Sequence, residues 1–463
     1  MIKYSRIKRI HFVGIGGAGM SGIAEVLHNM GFIISGSDIG EGETVKRLKS
    51  MGITVRLGHS KDHVGDAETL VYSSAVTREN EEVGEALKRK IPVIPRAEML
   101  AELMRMKFAV AVAGTHGKTT TTSMIATILT AAGKDPTFVV GGKLKIEESG
   151  ANLGKSDYLV AEADESDGSF LKLFSTLAVI TNIEDDHLDH YKTMDNLLEA
   201  FNDFGNKVPF YGAVIVNCDC PNSRGIVSRL NKRVLTYGTD PSRETDVRAE
   251  NIETSVFGAA FDLVVKGEQK GRMQLNVGGL HNVSNALAAV TAAVEIGIDI
   301  PVIREGFNRF YLPERRFQVL FYTGGHLVVD DYAHHPTEIA AALDTLAAGD
   351  FKRIIAVFQP HRFTRLKILM DRFTSCFEKA DLLVVSEIYG ANQAVIENVN
   401  SRVLAEKISA SGYKHVNYIE TFDGIVEYLE KTVKKGDAVI FLSAGNLTHT
   451  AHRFAKRMEE RYK

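Results

Sequence analysis

A strand-like run, Phe108–Ala113, leads into Gly114-Thr115-His116-Gly117-Lys118-Thr119-Thr120, and a helical pattern carrying Met124, Ile125, Ile128 and Leu129 follows. Strand, glycine-rich loop and helix in that order make a phosphate cradle. Backbone N–H groups surround the oxygens, Lys118 reaches β- and γ-phosphates, and Thr119 offers a hydroxyl to Mg2+. A full Walker motif would place glycine at position 112, where Val112 stands, so the loop is a shortened variant. ATP is the expected ligand.

A different glycine loop opens the chain. Ile10–Val13 runs into Gly14-Ile15-Gly16-Gly17-Ala18-Gly19-Met20-Ser21, in which Gly14, Gly16 and Gly19 fit G-x-G-x-x-G. A helix is expected from Met20 to about Met30, then a strand over Phe32–Ser35 ending in Gly36-Ser37-Asp38. Such a loop brings a pyrophosphate to a helix N-terminus, and an acid after the second strand holds a ribose hydroxyl. The candidates here are Gly14, Gly16, Gly17, Gly19, Ser21, Ser37 and Asp38. On these residues alone NAD is the first expectation, another nucleotide diphosphate such as a UDP-sugar the second, and a tight turn that binds nothing the third. A dehydrogenase has no need of the Gly114–Thr120 loop, and a simple ATPase has no need of the Gly14–Gly19 loop. Together they suggest ATP-driven chemistry on a nucleotide-linked substrate.

Acids and histidines cluster after later strands. Tyr158–Ala161 leads into Glu162, Asp164, Glu165 and Asp167, a set that would repel itself unless a cation sat there; Mg2+ suits such oxygen ligands. The bland alternative is a solvated acidic loop. Leu177–Ile180 leads into Glu184, Asp185, Asp186, His187, Asp189 and His190. His187 is placed to ligate a metal or to orient a phosphate. Further on, Val328–Asp331 precedes Tyr332, His334, His335 and Pro336, the proline suiting the first turn of a helix. Ile354–Phe358 precedes His361, Arg362 and Arg365, two arginines three apart that share a helical face and suit an anion; on their own they read as a surface charge pair.

Elements must hold these groups. Short apolar runs alternate with helical patterns throughout; besides those above they include Ala213–Val216, Leu382–Val385 and Ala438–Leu442. That alternation reads as α/β with mostly parallel sheets, whose functional groups gather at carboxyl strand ends. The 463 residues exceed one ordinary core. Three domains are expected: 1–107, 108–312 and 313–463. The net charge of −3 and the absence of long charged blocks argue against nucleic acid as a partner. Cys218, Cys220 and Cys376 are too few for a disulfide framework and fit a reduced, cytoplasmic protein. No apolar run is long enough to span a membrane, and no signal-peptide pattern follows the basic N-terminus. Nothing in the sequence fixes the oligomeric state.

The ordered segments GIGGAGMSGIAE, GTHGKTTTTSM, AEADESDGSF, TNIEDDHLDHY, HNVSNALAA, ERRFQ, DDYAHHPTEI and FQPHRFTR resemble the Mur ligases of peptidoglycan synthesis. The likeness covers nearly the whole chain. Its opening loop and its HHPTE and PHR-x-TR segments are those of L-alanine-adding members. The resemblance implies three domains: a Rossmann-like UDP-binding domain, a central P-loop ATP-binding domain and a C-terminal Rossmann-like domain. It replaces NAD by the UDP of UDP-N-acetylmuramate, and it implies L-alanine, ATP and Mg2+ as the other ligands of an ADP-forming amide ligase. It further implies that Lys118 contacts ATP phosphates, that Thr119 and Glu162 hold Mg2+, and that His187 ligates a second Mg2+. Asn282, Asn285 and Arg316 become nucleotide-site residues, and Asp331 reaches ATP from the C-terminal domain. His334 or His335, with Arg362 and Arg365, would hold the amino acid and the lactyl carboxylate.

There are departures. Many of these ligases carry a carbamylated lysine downstream of the His187 position, but Asp195 to Asn206 contains no lysine. Gly390-Ala391-Asn392-Gln393 and Ser443-Ala444-Gly445-Asn446 also leave the family pattern. A peptide-adding ligase, an NAD-dependent oxidoreductase and a nucleotide sensor are the rival readings.

Overall fold

The computed structural model describes residues 7–73, 75–77, 79–144, 149–152, 154–323 and 325–462. Two compact units result. One takes Met1–Arg248, Val264–Lys270 and Asn285–Phe310; the other takes Ala249–Leu263, Gly271–Ser284 and Tyr311–Lys463.

The first unit opens with a parallel sheet of β1 (Arg9–Val13), β2 (Ile33–Asp38), β3 (Thr54–Leu57), β4 (Thr69–Tyr72) and β5 (Val93–Pro95), ordered β3-β2-β1-β4-β5. The order reverses between β1 and β4, which is where an open α/β sheet binds its ligand. β2 is longer than the sequence suggests, because Ser37 and Asp38 still pair with Arg56 and Leu57 of β3. The helix after the glycine loop, Ala18–Asn29, starts two residues early because Gly17 caps it.

A second sheet follows in the same unit. Its strands are β6 (Phe108–Ala113), β7 (Thr137–Leu144), β8 (Ser149–Asn152), β9 (Tyr158–Glu162), β10 (Leu177–Ile180), β11 (Ala213–Asn217) and β12 (Val234–Gly238). They are ordered β12-β11-β10-β6-β9-β7-β8. β6 and β10 are apolar almost end to end, as strands covered on both faces must be. One buried cluster runs from Phe12 and Ile23 through Leu100 and Met104 to Ala111, Phe170 and Ile180. Register decides the edge: Val112 pairs with Glu162 and Ala113 with Ile180, so Gly114, Ala163 and Thr181 leave the sheet side by side. β13 (Val247–Thr254), β14 (Ala259–Val265) and β15 (Glu268–Leu275) are divided between the two units.

The second unit holds β16 (Gln318–Thr323), β17 (His326–Asp331), β18 (Arg353–Phe358), β19 (Leu382–Val385), β20 (Val416–Tyr418) and β21 (Asp437–Leu442), ordered β16-β17-β21-β18-β19-β20. Within this sheet only β16 is antiparallel among the paired strands described. Both Asp331 and Phe358 pair with Leu442, so β17, β18 and β21 end level. Among the described residues no helix is long and apolar enough to cross a membrane.

Candidate active site

The phosphate loop is clamped by the segment after β10. Thr115 N–H donates to Asn182 O at 3.0 Å and His116 N–H to Asn182 Oδ1 at 2.8 Å. Thr181 Oγ1 donates back to His116 O at 2.6 Å, and Glu184 N–H to Thr115 Oγ1 at 2.8 Å. Gly114 has φ of +135°, and a Cβ there would lie 2.0 Å from Thr181 Oγ1, so only glycine fits. Gly117 is the N-cap of the helix Lys118–Ala131 and supplies no side-chain cap, leaving the first-turn N–H groups for an anion. Asn285 belongs to the same unit; its Oδ1 accepts from Thr121 Oγ1 at 3.2 Å.

Lys118 Nζ donates to Gly114 O at 2.6 Å and to both Glu165 oxygens at 2.9 Å. Burial alone would drive Lys118 and Glu165 toward neutrality. Glu165, Asp164 and Glu162 together overcome that cost and hold the ammonium charged. Burial also raises the Asp164 carboxyl, but Lys118 and the Ser166 N–H outweigh it and keep the group below the usual range. His187, at φ +58°, caps the short helix Leu188–Tyr191, with Nε2 3.7 Å from Glu165 Oε1 and 3.5 Å from Asp186 Oδ2. Several carboxylates thus face one ammonium at the start of the helix that also carries Thr119. This all-oxygen set with surplus negative charge fits a hard divalent cation carrying nucleotide phosphate.

At the first sheet, Gly14, Gly16, Gly17 and Asp38 line a cavity of about 420 Å³. Gly14 and Ile15 donate to Ser37 O at 2.9 and 3.0 Å. Gly16 N–H donates to Asp38 Oδ2 at 2.8 Å, and a Cβ on Gly16 would lie 2.9 Å from that same oxygen. Asp38 therefore braces the loop as well as facing the cavity. Gly19, Ser21 and Ser37 lie outside the cavity wall; Ser21 is buried in the first helical turn, and Ser37 is wholly buried.

Asn282, Arg316, Asp331, His334, His335, Arg362 and Arg365 belong to the second unit. Asn282 Nδ2 donates to Gly278 O at 2.7 Å. Arg316 lies over the Tyr332 ring at 5.0 Å and 3.8 Å from Glu338. Asp331 accepts from Phe317 N–H at 2.6 Å and Ala333 N–H at 2.7 Å; burial pushes its carboxyl up to about 6, against the pull of Arg316 and these two N–H groups. His335 is fully buried and forms a capping box with Glu338 at the start of the helix Pro336–Ala347. His334 instead meets the His361 ring edge-on at 5.8 Å, and Arg365 Nη1 lies 3.1 Å from His361 Nδ1. Arg362 is not helical: it is the N-cap of Phe363–Phe373, at φ +67°. The two arginines therefore do not share a helical face, because the chain turns sharply after β18.

Known proteins match along the whole chain. The sequence models of the Mur ligase family catalytic domain, the Mur ligase middle domain and the Mur ligase glutamate ligase domain match residues 9–108, 112–293 and 315–445. This chain belongs to the Mur ligase family. Among its relatives, the UDP-N-acetylmuramate–L-alanine ligase of Geobacter sulfurreducens is 48% identical, covering 99% of each chain. That of Syntrophotalea carbinolica is 47% identical over 99% of this chain and 100% of its own. A solved UDP-N-acetylmuramate–alanine ligase from Thermotoga maritima superposes with a TM-score of 0.81 at 27% identity, covering 98% of this chain and 99% of that one.

Within this Mur ligase, several contacts now stand out that the sequence did not assign. Asn182 and Thr181 clamp the phosphate loop, Glu165 pairs with Lys118, and His361 links His334 to Arg365. His361 was reachable, since it shares the PHR segment with Arg362. Asn182 carried no signal, because its role depends on β6 and β10 being neighbours.

Proposed function

We propose that this chain is a cytoplasmic ATP-dependent ligase that joins L-alanine to the lactyl carboxylate of UDP-N-acetylmuramate, in peptidoglycan precursor synthesis. One observation carries the reading: relatives of the same length, 48% and 47% identical throughout, bear that activity in their names. The UDP-binding, ATP-binding and C-terminal portions, 1–107, 108–312 and 313–463, divide the work.

A lactyl carboxylate oxygen attacks the γ-phosphorus of ATP; the bond to the β-phosphate oxygen breaks and ADP leaves. The neutral amine of L-alanine then attacks the acyl phosphate carbon, inorganic phosphate departs, and the amine gives up its proton. Lys118 stabilises negative charge on the transferring phosphoryl group, and the clamped loop holds its N–H groups preorganised. Mg2+ would neutralise charge on the same phosphates; Thr119 and Glu162 would hold it, with His187 serving a second ion. His334 and Arg365 suit the amino acid's carboxylate, since a buried guanidinium binds an anion strongly. Excluding water protects the acyl phosphate.

The test is phosphate release with UDP-N-acetylmuramate, ATP and Mg2+, supplying each amino acid in turn. Release that requires both L-alanine and the UDP substrate, with the amide formed in equal amount, is expected. Release with a peptide but not with L-alanine would point to a different acceptor.

A further inference from the structure

Glu82 enters from the start of the helix Glu81–Lys88 and is wholly buried. Its carboxylate accepts from His11 Nε2 at 2.6 Å, His59 Nδ1 at 2.8 Å and Ser37 Oγ at 2.9 Å, with His63 Nδ1 3.7 Å away. His11 is itself fixed by Ser35 Oγ at 2.9 Å. Burial would raise the Glu82 carboxyl, but the bonds from His11, His59 and Ser37 outweigh it and keep the group below its usual range. Of these partners only His59 lines the cavity beside Gly14, Gly16, Gly17 and Asp38.

A carboxylate only accepts hydrogen bonds, so His59 Nδ1 carries a proton and Nε2 is the ring atom left for a ligand. Among the described residues lining the cavity none is lysine or arginine, and Asp38 is acidic. His59 is thus the cavity-lining side chain, among those described, that is able to become positive. An imidazole can carry a proton on each ring nitrogen, so Nε2 can donate outward while Nδ1 stays on Glu82.

We propose that His59 donates its Nε2–H to the diphosphate of the nucleotide-linked substrate, and that Glu82 is a positioning residue acting through His59. This rests on the reading that the cavity takes the UDP portion of that substrate. It extends recognition beyond the glycine loop to a side chain on the far side of β2, after β3.

Calorimetry with UDP, inhibition by uridine, and steady-state kinetics on the full chain test it. His59→Ala weakens UDP binding and raises the KM for UDP-N-acetylmuramate by roughly ten- to a hundred-fold. Uridine inhibition, the KM values for ATP and L-alanine, and kcat stay within about twofold. Glu82→Gln weakens UDP less, and the double variant binds UDP within about twofold of His59→Ala alone. An equal loss for uridine would move the contact off the diphosphate, and additive losses would show that Glu82 acts independently; either result overturns the proposal. A wild-type chain that ignores UDP overturns the cavity reading and the proposal with it. Wild-type affinity retained in a folded His59→Ala overturns the proposal alone.

Discussion

Lys118 Nζ lies 2.9 Å from both carboxylate oxygens of Glu165, a residue with 1% of its side chain exposed. The lysine that the loop motif marks for phosphate is therefore held by an internal anion, with Asp164 and Glu162 also acting on it. A phosphate bound at this loop would have to compete with that pairing, while the neighbouring acids keep the ammonium charged.

Lys118→Ala should nearly abolish ligation while the chain stays folded. Removing one preorganised charge on a transferring phosphoryl group costs about 2.7–4 kcal/mol, or roughly a hundred- to a thousand-fold in turnover. Phosphate-release kinetics with a melting curve separate this from unfolding. Turnover near that of the wild type would take phosphate chemistry away from the Gly114–Thr120 loop.

Gly114→Ala should damage both the loop and its stability. The added methyl meets Thr181 Oγ1 at 2.0 Å and the backbone holds φ +135°, so the clamp must open. The combined strain and overpacking amount to about 2–5 kcal/mol. Urea unfolding and ADP titration should both register the loss.

His334 and His335 should separate by phenotype. His335 is buried in a capping box, so His335→Ala should lower stability by about 0.5–2 kcal/mol or more, with the KM for L-alanine little changed. His334 and Arg365 meet at His361. Arg365→Ala should raise the KM for L-alanine roughly ten- to a hundred-fold, and that for ATP far less. Kinetics varying one substrate at a time decide this; a rise confined to ATP would reassign the arginine.

Asp331 should make stability fall as pH rises. Its carboxyl is pushed from 3.8 up to about 6 by burial, so the folded state holds a proton that the unfolded chain has lost. The protonated form's contribution is complete below pH 3.8 and disappears as pH passes about 6. The difference amounts to about 3 kcal/mol. Urea titrations of the wild type and Asp331→Asn at pH 4 and 7 should show this slope in the wild type alone. Parallel curves would mean that Asp331 is ionised in the folded state throughout.

The sequence by itself determined the α/β class, the strands from Ile10–Val13 to Ala438–Leu442, both glycine loops and the family. Those features are local: apolar runs of strand length, and glycines whose spacing has a backbone reason. It also marked Lys118 through its loop, and Glu162, His187 and Arg365 through the family's ordered segments, since each of these three alone has a bland reading. Tertiary structure alone decided which side chains meet. Glu165 reaches Lys118 because β9 lies next to β6, and Asn182 clamps the loop because β10 lies on β6's other side. His335 turns inward as a helix cap while its neighbour His334 faces His361, a choice that adjacent identical residues cannot reveal. Glu82 carries no mark in the sequence; the fold alone buries it among His11, Ser37 and His59. Motifs fix what a residue can do; strand order and register fix its partners, and those are set by contacts between segments far apart in the chain.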